Sequence, residues 1–295
     1  MSLHEHLLAE LLTPELEQSD FEGSVEKFGK RYFDYYNAGF AISLPDNPMG
    51  NLRFTSTEVL EFLEAPCERV VVHLNSFHRK QDFDQMLETA DRLGVQYLLC
   101  ISGDGNPKLH RLEPEELGLE PTPMGAATSV ELLQYIRREY PNRFQCGVAF
   151  NPYEQPDIEL MKLEKKMEVG FDFIGTQLYL PNGLVPGFDY HTPMKALTKC
   201  NKPVVFGIWT PSHTVGDVSE KAMHRLSVFL ECISPYYEPP VVDALKEKLM
   251  ADGYDAEQMI GELQNQFSSS LPGLSFYFSM PILKKMQEWQ QRGVL

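Results

Sequence analysis

Residues 70–101 read VVVHLNSFHRKQDFDQMLETADRLGVQYLLCI. The run Val70 to Leu74 is apolar and β-branched, as a strand buried on both faces must be. The segment FDQMLETADRL that follows, residues 83–93, spaces its apolar residues three and four apart, which predicts a helix with one face on a core. A second apolar run, Tyr97 to Ile101, closes the unit. Strand, amphipathic helix and strand within about 30 residues is the βαβ pattern of a parallel sheet.

The same alternation recurs in both directions. Strands are predicted at Leu7 to Leu12, Gly39 to Leu44, Cys146 to Phe150, Phe173 to Leu180, Val204 to Ile208 and Leu274 to Phe278, making eight with the two above. Outer helices are predicted between them, for example IELMKLEKKMEV at residues 158–169. Eight such units in 295 residues close more naturally into a (β/α)8 TIM barrel, which needs roughly 250 residues, than into an open doubly wound sheet. No linker or internal repeat divides the chain, so residues 1–295 read as one domain. Two long irregular stretches remain. Gly103 to Gly125 follows the fourth strand, where barrel sites are built, and Tyr236 to Gly261 reads as an extra helical segment before the last strand.

Composition bounds the function. With 42 acidic residues against 26 Lys and Arg the formal charge is −16, which argues against a nucleic-acid partner, because phosphate backbones demand clustered cations. Hydrophobic residues at 43% allow a large core, yet no apolar run approaches the ~20 residues that span a bilayer. Five cysteines, Cys67, Cys100, Cys146, Cys200 and Cys232, are odd in number and lack any CxxC, so neither a disulfide framework nor a zinc site is expected and a reducing cytoplasmic location fits. His4 and His6 read as terminal residues rather than metal ligands, and Trp209, Thr210, Pro211 and His213 as either loop packing or ligand contact at a strand end.

Polar residues that end apolar barrel strands point into the mouth, so strand ends are where chemistry is expected. Five stand out: Glu10 in LLAELLTP, Ser43 in FAISLPDNPMGN, His73 in VVVHLNS, Asp104 in LLCISGDGNP and Gln177 in FIGTQLYLP. In this order, with GVAFNPYEQPD and Lys166 on the helix after it, these motifs resemble those of the methylenetetrahydrofolate reductases from about Leu7 to about Phe278. The FIGTQLYL segment with its Thr-Gln pair is the most specific match.

That resemblance implies a reduced folate as ligand, either 5,10-methylenetetrahydrofolate or 5-methyltetrahydrofolate, bound by Gln177, Asp104 and Glu10. It implies catalysis by Glu10 and Asp104, with FAD as cofactor and NADH or NADPH as electron donor in one-carbon metabolism and methionine biosynthesis. A carboxyl group partly buried at a barrel mouth has its pKa raised, which suits Glu10 to protonate N10 of the folate. The cofactor contacts carried over are Ser43, His73, Ser102, Asn151 and Lys166. Ser102 stands where the family has an Arg, and Gly125, Asn151 and Gln155 also depart from the family pattern. These departures keep a second reading open: a non-redox folate-binding protein or methyl-transfer partner that has lost tight FAD binding. Homo-oligomerisation is compatible with either reading, and the sequence does not fix it.

Overall fold

The computed structural model describes residues 3, 6–17, 19–180, 184–188, 191–210, 220–231 and 233–294; His4, Pro211, His213 and Cys232 lie outside the described residues. Eight strands, β1 (Leu8–Glu10), β2 (Ala41–Leu44), β3 (Val70–Leu74), β4 (Tyr97–Cys100), β5 (Gln145–Phe150), β6 (Phe173–Leu178), β7 (Val204–Trp209) and β8 (Leu274–Ser279), form a closed barrel in sequence order. Every neighbouring pair is parallel, including β1 with β8. Each predicted strand is present, and the differences lie at the ends. Leu11 and Leu12 continue the apolar run after β1 but leave the ladder, with Leu11 N–H bonded once more to Ser43 O at 2.9 Å.

The helices are α1 (Phe21–Asn37), α2 (Ser56–Phe62), α3 (Lys80–Arg92), α4 (Ser129–Glu139), α5 (Pro156–Val169), α6 (His191–Met194), α7 (Glu220–Glu231), α8 (Pro239–Asp252), α9 (Ala256–Phe267) and α10 (Leu283–Gln291). Their boundaries have local causes. In α3, Phe83, Met86, Leu87 and Ala90 make the buried stripe that the 3.6-residue period requires. Thr128 with Glu131 caps α4 reciprocally, satisfying amides that the first turn leaves unbonded, and Thr55 with Glu58 does the same for α2. On α1, Tyr32 and Tyr35 are buried, as their helical spacing implies.

Tyr236 to Gly261 is helical as expected, forming α8 and the start of α9. Only part of it is surface. Met259, Ile260, Leu263 and Phe267 of α9 are buried, and Phe267 stacks on Phe206 of β7 with ring centroids 5.4 Å apart, so α9 belongs to the helical layer.

Strand alternation divides the core in two. Leu8, Ala41, Val71, Tyr97, Phe173 and Val205 pack together inside the barrel with Leu3, while the large outer core fills the space between strands and helices. Within the barrel, the Phe173 ring occupies the space beside Gly147 on the neighbouring strand. A Cβ there would lie 2.2 Å from Phe173 Cε2, and Phe173 is only 5% exposed. Gly147→Ala is therefore expected to cost about 1–3 kcal/mol by overpacking. Urea unfolding checks this, and an unchanged midpoint would show that the ring relaxes freely.

Candidate functional site

The residues that line the inner core at Leu8, Ala41 and Val71 fix which side chains follow at the mouth. Two positions on, with a period of two, come Glu10, Ser43 and His73. Register pairs Glu10 directly with Ser43, and places His73 one layer above, opposite Leu99. The structure thus gathers three of the five strand-end residues on adjacent strands.

Ser279, the last residue of β8, donates its hydroxyl to Glu10 Oε1 at 2.8 Å. Glu10 keeps part of its surface open to the mouth, but burial raises its pKa from an ordinary 4.5 to about 7, against the lowering effect of the Ser279 hydrogen bond. Beside it Ser43 Oγ and His73 Nε2 share a hydrogen bond of 2.8 Å. Burial pushes the His73 pKa down to about 4, with Asp46 opposing, so the imidazole is neutral at physiological pH. The floor of the mouth therefore holds a carboxyl group poised between its two states and a neutral Ser-His pair. The apolar run predicts β8 only to Phe278, and the strand continues one residue further to Ser279, where the strand-end rule finds it.

Gln177 lies four strands from β2 in either direction round the barrel, across the mouth from Ser43. Here β6 and β7 slip register between Gly175 and Leu178. The Thr176 hydroxyl covers the irregularity by accepting Gly207 N–H at 3.2 Å and donating to Gln177 O at 2.8 Å. Gln177 itself is half-buried, and its side-chain amide has no hydrogen-bond partner among the described residues. The specific Thr-Gln pair thus divides into a residue that mends the strand and one whose amide is free.

The rim is built by loops tied to one another. Asp104, exposed after β4, accepts Met49 N–H at 2.6 Å, and Asn106 Nδ2 donates to Gly50 O at 2.6 Å, so the β4 loop clasps the β2 loop across β3. Asn47 and Met49 hold positive φ of 45° and 57°, in the left-handed region that residues with a Cβ seldom adopt. Asp46 is buried and accepts His78 Nε2 at 2.7 Å and Asn75 N–H at 3.2 Å. Burial works to lower the pKa of His78, and the Asp46 carboxylate outweighs it, holding that imidazole above its usual range. Arg53 joins the β1 loop, bonding Thr13 O and Glu15 Oε1, the latter at 2.5 Å.

The remaining cofactor candidates are engaged within the chain. Ser102 Oγ accepts Ser129 N–H, from the first residue of α4, at 3.3 Å. Asn151 Oδ1 accepts Tyr153 N–H at 3.0 Å in a tight turn. Lys166 is buried at the inner face of α5, donating to Ala149 O at 2.6 Å, and its pKa is lowered by burial against the pull of Glu159. A flavin dinucleotide, implied by the resemblance, needs a donor for its phosphates, and none of these three offers an unengaged cation. The residues fit such a group through Arg111, in the loop after β4, whose buried Nε has no partner.

The sequence is 27% identical over 173 residues to methylenetetrahydrofolate reductase (NADH) 1 of Arabidopsis thaliana, covering 51% of this chain and 26% of that protein. It is 30% identical over 103 residues to methylenetetrahydrofolate reductase 2 of Saccharomyces cerevisiae, covering 32% of this chain and 16% of the relative. The matches thus span about a quarter or less of the length of these relatives. In fold, the chain resembles an uncharacterized protein from Clostridium thermocellum that binds two copies of 5-methyl-5,6,7,8-tetrahydrofolic acid, with a TM-score of 0.51 at 10% identity, over 96% of this chain and 92% of that one. A family model for methylenetetrahydrofolate reductase matches residues 36–214, more than half of the sequence, and the chain belongs to the methylenetetrahydrofolate reductase family.

Proposed function

We propose that the barrel mouth binds a reduced folate and that the chain reduces 5,10-methylenetetrahydrofolate to 5-methyltetrahydrofolate, with Glu10 as the general acid. The observation that carries this reading is the Glu10 carboxyl, raised to about 7 at the end of β1 and oriented by Ser279. Opening the imidazolidine ring breaks the bond between the bridging carbon and N10. The bonding pair goes to N10, where a proton must arrive, and N5 is left as an iminium. A carboxyl group with a pKa near the working pH holds that proton in a useful fraction of molecules and releases it readily. Reduced FAD, when bound, would supply the hydride that the iminium takes up, with NADH or NADPH reducing the flavin again.

The chain's own residues account for binding. Gln177 has an unengaged amide, offering an acceptor and two donors to the edge of a pterin. Asp104 has one oxygen on Met49 N–H, which leaves the other for a pterin N–H. Calorimetry with 5-methyltetrahydrofolate is expected to show saturable binding, weakened in Gln177→Ala by about 1–3 kcal/mol, the cost of leaving buried polar groups unpaired. A wild-type protein giving no heat at millimolar folate would remove the basis of the reading.

The engagement of Ser102, Asn151 and Lys166 inside the chain favours a second reading, a non-redox folate-binding protein or methyl-transfer partner. An absorption spectrum separates the two. Oxidised-flavin bands in the purified protein, or their perturbation on adding FAD, belong to the reductase; a colourless protein that binds folate and leaves added FAD unchanged belongs to the alternative.

A further inference from the structure

Among the described residues, three arginines bury Nε without a hydrogen-bond partner: Arg53, Arg69 and Arg111. Two of them use their other donors. Arg53 bonds Thr13 O and Glu15, and Arg69 donates Nη2 to Tyr36 O at 2.7 Å. Arg111 has no hydrogen bond or ion pair for any of its N–H groups among the described residues. Arg111 is half-buried, and among the described residues no carboxylate lies within ion-pair distance of its guanidinium. Burying Nε without an acceptor is costly, and an acceptor from outside would offset that cost.

Its surroundings hold it in position. The guanidinium carbon sits 5.3 Å from the centroid of the Phe77 ring, a cation–π contact that restricts the fork without using its donors. That ring lies against the turn after β4. A Cβ at Gly103, where φ is +82°, would fall 3.1 Å from Phe77 Cδ2, and one at Gly105 would fall 3.6 Å from Phe77 Cζ. The next residue, Leu112, donates its backbone N–H to Ser76 O at 2.8 Å and accepts Ala127 N–H at 2.8 Å. Arg111 is thereby pinned between the end of β3 and the approach to α4, whose first amide faces Ser102 Oγ. A net charge of −16 repels anions at long range, so a local fixed cation is what an anionic ligand would need at this mouth.

We propose that Arg111 is an oxyanion-binding residue on the β3–β4 side of the mouth, taking a phosphate of a nucleotide cofactor or a glutamate carboxylate of the folate tail in its planar fork. This rests on the reading that the mouth binds folate and its cofactor. The test uses the full chain as wild type, Arg111→Met and Arg111→Lys, titrated with two pairs of probes. FAD is compared with riboflavin, which lacks phosphate, by flavin fluorescence, and 5-methyltetrahydrofolate with 6-methyltetrahydropterin, which lacks carboxylates, by calorimetry. Arg111→Met is expected to weaken the anionic member of one pair at least tenfold and to leave its uncharged partner within twofold, with Arg111→Lys intermediate because it keeps the charge and loses the fork. Loss confined to FAD assigns the phosphate, and loss confined to the folate assigns the tail. Equal loss for both members of a pair makes Arg111 structural and overturns the proposal. So do unchanged affinities throughout, an outcome that leaves folate binding itself intact. A wild-type protein that binds none of the four probes overturns both readings. Should Arg111→Met fail to fold, the same comparison in Arg111→Lys decides.

Discussion

Glu10→Gln is expected to slow the reduction of 5,10-methylenetetrahydrofolate by ~10²- to 10⁴-fold, the range assigned to general acid catalysis. The amide keeps the shape of the carboxyl and still accepts the Ser279 hydroxyl, but it has no proton to give to N10. Reduction of bound flavin by the nicotinamide does not involve N10 and should keep its rate. Anaerobic stopped flow follows the two half-reactions separately. The wild-type folate step should also fall as pH rises through about 7, where the carboxyl loses its proton, and this limb should be missing in the variant. Equal slowing of both half-reactions would make Glu10 a positioning residue, and no slowing of either would assign the acid elsewhere.

The second large effect is on stability. Glu10 titrates at an ordinary 4.5 when unfolded and at about 7 when folded. Below 4.5 both states hold the proton. Between 4.5 and 7 the unfolded chain releases it while the folded chain keeps it, so each rise in pH favours unfolding; above 7 the folded state contains a buried carboxylate. At about 1.4 kcal/mol per pKa unit, the wild type should lose roughly 3 kcal/mol across this window relative to Glu10→Gln. His73, whose depressed pKa works in the opposite sense by withdrawing stability as pH falls toward about 4, is common to both proteins and cancels in the difference. Denaturant unfolding at pH 4.5 and pH 8 gives the result directly. The two proteins should be nearly equal in stability at the lower pH, and the variant should be the more stable at the higher. A difference that does not vary with pH would mean that solvent reaches the carboxyl freely. The same burial that raises the Glu10 pKa thus makes the residue a source of instability above pH 7.

How far the site was legible depends on how local each feature is. Glu10, Ser43 and His73 were readable as mouth residues because strand alternation is a property of a few neighbouring residues, and the inner-core positions Leu8, Ala41 and Val71 carry it through. Ser102, Asn151 and Lys166 were located in chain order, but their hydrogen bonds to Ser129, Tyr153 and Ala149 were not readable, since each depends on how a loop or helix turns back on its strand. Gln177 stands between these cases: its place at a strand end was visible, while the register slip beside it comes from pairing with β7.

By itself the sequence determined the eight strands, the order of the helices between them, the helical segment before β8 and the positions of Glu10, Ser43, His73 and Gln177 toward the ends of their strands. These follow from periods of two and 3.6 and from capping and turn residues, which act over spans of a few residues. Only the tertiary structure decided the chemistry of those residues. Ser279 meets Glu10 across 269 positions of sequence, the Asp46–His78 pair forms across 32, and Arg111 Nε is left without an acceptor among the described residues. A pKa or an unengaged donor is set by every atom packed within a few ångströms, and barrel closure brings most of those atoms from distant parts of the chain.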